Sequence, residues 1–210
     1  MINDSAKMRN KMLPSKEEAT RLIKWAYDCN PGAWASHSKT AARAAEAIAD
    51  KCGLDRDRAF VSGLLHDIGR YEGVTELRHT YAGYELLSRK GYSSIASICL
   101  SHSFPSQNVD EYFGKNDCTF IESELIKSFL TDTIYDDYDK LIQLCDAISA
   151  AAGVCLIEVR IIDVIRRYGF SKFTLGKIEA IFDIKEHFDE ICGMNIYDLF
   201  HDEIREVSFK

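Results

Sequence analysis

The run Ala59-Phe60-Val61-Ser62-Gly63-Leu64-Leu65-His66-Asp67-Ile68-Gly69-Arg70 decides how this chain is read. An imidazole and a carboxylate close an apolar helical stretch, where burying an unpartnered charge is costly. A divalent cation is the simplest partner for both. Adjacent helical residues project about 100° apart, so His66 and Asp67 cannot form a metal site by themselves. Other segments must supply ligands, and the chain offers an ordered series: His37, His79, His102 and Asp146.

Each member of the series sits in a helical pattern. Ala59, Ser62, Gly63 and His66 share one line, and these small residues would let a neighbouring helix approach. A helix from Ala33 to Cys52 presents His37, Ala41, Ala44, Ala45, Ile48 and Cys52 on one stripe, with Gly53 as its C-cap. Asp55 is a suitable N-cap for the next helix. Gly69 is expected to break that helix, leaving Arg70 about one turn beyond Asp67. There its guanidinium either faces an anionic ligand of the metal or satisfies the helix end. His79 and Gly83 are one turn apart, which suggests open space beside the imidazole. A helix over Ser93 to Leu100 delivers His102. Asp146 lies in a helix from Tyr138 to Ala152, among Leu141, Ile142, Leu144, Cys145, Ala147 and Ile148.

Period-two alternation is lacking and helical periodicity dominates, so the fold class expected is all-α, a single helical bundle with a C-terminal helical extension. Residues 1–32 hold an N-terminal helix opening at Ser15, with Ala19, Leu22, Ile23 and Tyr27 on its inner face and Pro31-Gly32 ending it. Residues 33–152 form the core, within which 103–135 loses periodicity, apart from a short helical piece around Phe120 to Leu130, and reads either as a lid or as an incidental surface loop. Residues 153–210 add helices over Cys155–Tyr168, Thr174–Cys192 and Asn195–Val207. Arg160, Arg166, Arg167, Lys172 and Lys177 make this last part locally basic. They could meet substrate phosphates, but a solvated face is the expectation. His187 and the second His-Asp pair, His201-Asp202, lack a histidine series and are read as surface.

Bulk properties narrow the function. A chain of 210 residues, 46% hydrophobic and 28% charged, can bury one full core. Net charge of −7 and a pI of about 5.4 offer no general basic surface to nucleic acid or an acidic membrane, so a small phosphorylated substrate is expected. No apolar run approaches a membrane span and the polar start lacks a secretory apolar region, pointing to a cytoplasmic protein. The seven cysteines, with no CxxC, read as reduced core thiols rather than disulfides or a zinc knot. Any metal would therefore rest on nitrogen and oxygen.

The ordered set His37, His66-Asp67 and Asp146, with its Leu-Leu-His-Asp-Ile-Gly context, resembles the HD superfamily of metal-dependent phosphohydrolases over roughly Trp34 to Ala150. The resemblance implies that these four residues bind a metal. His79 with Gly83, and His102, stand where two-metal members carry further histidines. It thus implies a dinuclear site in which His37, His66, Asp67 and Asp146 hold the first ion, His79 and His102 the second, and Asp67 bridges. In size and ligand order the chain is similar to symmetrical diadenosine tetraphosphate hydrolases; the HD-GYP cyclic-dinucleotide phosphodiesterases share the histidine pattern. It departs from both. The interval from His102 to Asp146 is long, Gly91-Tyr92 is followed by serine rather than proline, and Arg70 stands where a lysine is common.

The activity implied is hydrolysis of a phosphoester or phosphoanhydride, of a nucleotide by expectation, using water activated by one or two divalent ions, with Asp67 and Arg70 as catalytic residues and Arg70 also contacting substrate. Mixed imidazole and carboxylate donors favour Fe or Mn, with Ni, Zn and Mg as alternatives. A mononuclear nucleotidase and a non-catalytic nucleotide- or metal-binding module are the competing readings, and a homo-oligomer is possible.

Overall fold

The computed structural model describes residues 13–208. Ten α-helices dominate: α1 (Lys16–Cys29), α2 (Ala33–Cys52), α3 (Arg56–Leu65), α4 (Arg78–Arg89), α5 (Ser93–Ser101), α6 (Phe120–Asp132), α7 (Asp137–Ala147), α8 (Ile157–Tyr168), α9 (Thr174–Cys192) and α10 (His201–Ser208). The all-α expectation holds. The departure is a two-residue antiparallel ladder, β1 (Ser149–Ala150) with β2 (Gly153–Val154), in which Ser149 pairs with Val154. It replaces the end of the expected Tyr138–Ala152 helix, which stops at Ala147. Its tight return sends the chain from α7 into α8.

Helix α2 is the centre of the molecule, packing against α3, α7, α9 and β1. Its alanines make this possible: Ala41, Ala42, Ala44, Ala45 and Ala49 are fully buried. Gly63 on α3 completes the fit, because a Cβ there would lie 2.8 Å from Ala42 Cα. The small-residue line along α3 thus serves the close approach expected of it. Helix α1 starts at Ser15, whose side chain accepts from Glu18 N, and covers α3. Its inner face carries Ala26 in place of Tyr27, which is exposed, because 26 continues the i, i+3, i+4 stripe of Ala19, Leu22 and Ile23.

Gly69 does not break α3. The helix stops at Leu65 with His66 as its C-cap, and Gly69 lies inside a following 3-10 turn, Ile68–Glu72. Nor does Gly83 leave open space beside His79. The two glycines face each other: a Cβ on Gly69 would overlap His79 O and Gly83 N, and one on Gly83 would meet Cys99 Sγ at 2.9 Å. Glycine here brings the turn onto α4. Segment 103–135 has a buried cluster of its own with its neighbours, formed by Phe104, Ile126 and Leu130 with Leu77 and Leu100. The stretch expected as one helix over Asn195–Val207 is a 3-10 turn, Ile196–Phe200, followed by α10.

One cysteine expectation is overturned. Cys52 and Cys192 form a disulfide across 140 residues, with a Cα–Cα distance of 4.9 Å. The C-terminal ends of α2 and α9 meet there, an approach that spacing along the chain cannot reveal. Cys99, Cys145 and Cys155 are free and buried, as expected of core thiols. Among the described residues no helix is long and apolar enough to cross a membrane.

Candidate metal centre

Five helix ends bring the histidine and aspartate series together. His37 comes from the first turns of α2, His66 and Asp67 from the end of α3, His79 from the start of α4, His102 from the C-cap of α5 and Asp146 from the last turn of α7. Three of these ends are C-termini, whose partial negative charge favours a cation beside them. The imidazoles and Asp67 are buried; Asp146, with 28% of its side chain exposed, forms the mouth.

All four imidazoles are oriented by backbone carbonyls. Nδ1 of His37 lies 3.0 Å from Ser149 O, that of His66 2.7 Å from Gly63 O and that of His102 3.0 Å from Cys99 O; Nδ1 of His79 contacts Glu76 O. A carbonyl only accepts, so each Nδ1 carries the proton and donates it. Each Nε2 of a neutral ring then offers a lone pair, and these lone pairs point at one another. His37 and His66 Nε2 are 3.3 Å apart, His79 and His102 Nε2 3.4 Å. The carboxylates join the same two groups: Asp146 Oδ1 is 2.9 Å from His37 Nε2 and Asp67 Oδ1 is 3.0 Å from His79 Nε2.

Burial pushes the His66 imidazole down, and with like-charged neighbours pushes His102 to about 3, so these two rings are neutral near pH 7. Burial acts to raise the Asp67 carboxyl, but Arg70 and His79 override it and hold it well below the usual carboxylate range. Asp146 is likewise held down, by His37 and His66 against the effect of burial. The centre is therefore a set of acceptors with few protons to share. Asp67 Oδ1 is buried and accepts no conventional hydrogen bond.

Such a set fits a cation. Donors about 2.1 Å from one ion stand roughly 3.0–3.4 Å from each other; the closest pairs here are 2.9–3.4 Å apart and the others 3.7–4.0 Å. Two groups can hold an ion by proximity: His37, His66 and Asp146, and His66, Asp67 and His102. His79 adjoins the second through Asp67. The other oxygen of Asp67, Oδ2, receives Arg70 Nε at 2.7 Å, so Arg70 first serves to pin Asp67.

Outside this centre lies a cleft of about 470 Å³, lined by Trp34, His37, Asp67, Arg70, Arg160, Asp163, Arg167 and Tyr168 among others. The inner recess beside the imidazoles adds Tyr112, Phe113, Asp146 and Lys177. Here the expectation of a solvated basic face fails for Arg160 and Lys177, which line the cleft and are largely withdrawn from solvent; Arg167 borders the cleft with 47% of its side chain exposed, and Arg166 and Lys172 are exposed and do not line it. A signal was present. Lys177 continues the inward stripe of Ile181, Ile184 and Phe188, and Arg160 sits between Ile157 and Ile161. Cations on apolar stripes face something. Lys177 is buried, which pushes its ammonium down to about 8, and it donates to Ser103 O at 2.7 Å. His201 and Asp202 are exposed, as expected, and His187 pairs with Asp137 at 3.3 Å, away from the centre.

A profile of the HD domain matches residues 34–151, more than half of the chain. The chain belongs to the HD-domain family. Members of this family are metal-dependent phosphohydrolases, and every residue of the histidine and aspartate series falls within the matched stretch. Over 68 residues this HD-domain chain is 41% identical to ribonuclease Y of Pseudothermotoga lettingae, covering 31% of the chain; it spans 13% of that relative's length. It is also similar to the HD domain of the L. monocytogenes phosphodiesterase PgpH, at 20% identity and a TM-score of 0.46, with 87% of this chain and 94% of that one covered. Arg160, Arg167 and Lys177 lie beyond the matched residues.

Proposed function

We propose that His37, His66, Asp67, His79, His102 and Asp146 hold one or two divalent cations, and that the protein hydrolyses a phosphoester or phosphoanhydride bond of a nucleotide. One observation carries this reading: four backbone-oriented imidazoles aim their acceptor nitrogens, with two carboxylates, into one buried point that opens on a basic cleft. The nitrogen and oxygen donors favour Fe or Mn over Mg. When bound, such an ion supplies Lewis acidity toward water and toward phosphoryl oxygens.

The chain's own groups supply the rest. The Ser149, Gly63, Glu76 and Cys99 carbonyls hold the imidazoles in one tautomer, so the donors are set before any ion arrives. Arg70 keeps Asp67 ionised and in place through Nε, while its guanidinium edge lines the cleft where phosphoryl charge develops. Asp67, ionised and pinned, accepts a proton less readily than a free carboxylate does. Trp34 and Tyr168 offer aromatic surface in the cleft, which supports a nucleotide with its base there. A cleft of about 470 Å³ lies within the range of small-molecule sites.

The test is metal analysis paired with hydrolysis of mononucleotides, dinucleoside polyphosphates and cyclic dinucleotides by the Mn- or Fe-loaded protein. His66→Ala and Asp67→Asn are expected to lose bound metal and lower hydrolysis at least about a hundredfold, with the helical circular-dichroism signal retained. His79→Ala is expected to lose one equivalent of two. Undiminished hydrolysis by the metal-free His66→Ala protein would refute the reading.

A further inference from the structure

We infer that Arg160 and Arg167 on α8 form a subsite for a second phosphate of the substrate, one other than the group attacked at the metal centre. The inference rests on the phosphohydrolase reading for its context but not for its test. Both arginines lie outside the residues that the HD-domain profile matches.

Arg160 borders all three spaces around the centre: the large cleft, the recess beside the imidazoles, and a small pocket shared with His102, Asp146 and Lys177. Only 22% of its side chain is exposed. Its Nε is buried without a hydrogen-bond partner, a donor already stripped of water. An unmet buried donor costs free energy unless an acceptor arrives. Asp163 stands one helical turn along and holds both guanidiniums, Arg160 at 3.4 Å and Arg167 at 2.7 Å, on the one carboxylate oxygen. That shared clamp sets two planar forks side by side at the cleft, the geometry that suits phosphate.

Charge points the same way. The charged residues of the cleft and recess are Arg70, Arg160, Arg167 and Lys177 against Asp67, Asp146 and Asp163, which gives 4 − 3 = +1 in a chain of net charge −7. One divalent ion would raise this to +3. A single phosphate, at about −2, would leave a positive remainder and fill little of the cleft; a substrate with two or more phosphates answers it.

The experiment is calorimetry on the full chain freed of metal by chelation, with inorganic tripolyphosphate and orthophosphate as probes. Wild type is expected to bind tripolyphosphate at least about tenfold more tightly than orthophosphate, and R160Q and R167Q each to weaken tripolyphosphate about tenfold. R160K, which keeps the charge but not the fork, is expected to recover part of the loss. Unchanged tripolyphosphate affinity in both glutamine variants overturns the subsite, as does equal affinity of wild type for the two probes. Because no hydrolysis is measured, the subsite can fail while the phosphohydrolase reading stands, and the converse.

Discussion

At the residue scale, the centre is governed by where its protons are. Each imidazole spends its Nδ1–H on a carbonyl, and what remains facing inward is lone pairs and carboxylate oxygens. Without an ion this arrangement is held only while the imidazoles stay neutral, which leads to a pH prediction. His102 has a folded value of about 3 against 6.5 unfolded, and His66 is shifted in the same direction. A depressed value means that the unfolded chain binds more protons, so stability rises with pH across that window and is lost as pH falls. Asp67 and Asp146, also depressed, add to the loss below about pH 4. The chelated protein is expected to lose a few kcal/mol between pH 6.5 and 4, lowering its melting temperature by on the order of 5–10 °C. Thermal scans across that range test it; a flat or rising melting temperature on acidification would contradict the assigned tautomers.

At the element scale, close helix contact does what side-chain chemistry cannot. Gly63 lets α3 lie on the alanines of α2, and Gly69 lets the 3-10 turn lie on α4 at Gly83, so that His66 comes within reach of His37, and Asp67 within reach of His79. A methyl group at either position meets backbone, which cannot swing aside as a flexible side chain can. Gly69→Ala is therefore expected to cost about 1–3 kcal/mol and to displace the Glu76–His79 turn from Asp67, lowering metal content as well as melting temperature. Gly53→Ala serves as a comparison: its Cβ would meet nothing, and its cost comes from a positive φ of 72° alone. If Gly69→Ala kept full metal occupancy, the glycine contact would not be what positions His79.

At the scale of the whole molecule, the Cys52–Cys192 bridge ties the end of α2, the central helix, to the end of α9, which carries Lys177. Closing a loop of this length restricts the unfolded chain, and its loss typically costs about 2–4 kcal/mol. Cys52→Ser is expected to lower the unfolding free energy by that amount, read as a lower urea midpoint, under oxidising conditions and to leave metal content unchanged, since neither sulfur approaches the centre. Equal midpoints for variant and wild type without reductant would show that the bridge does not stabilise the fold. The tight return at Ala150–Gly153 and the C-terminal helices complete the cleft at this same scale.

Much of this was legible in the order of residues. The His66-Asp67 pair, the ranges of α2 and α9, the small-residue line of α3 and the four further ligand candidates follow from helical period and from the cost of burying an unpaired charge, both of which are local properties. What the linear order could not decide was which distant surfaces meet. The Cys52–Cys192 pairing, the fit of Gly69 to Gly83, the carbonyls that set each tautomer, and the turn of Arg160, Arg167 and Lys177 toward the cleft all depend on how helices lie in space. The physical reason is range: periodicity and capping act within a turn or two of helix, whereas a site made of five helix ends exists only once packing has brought them together.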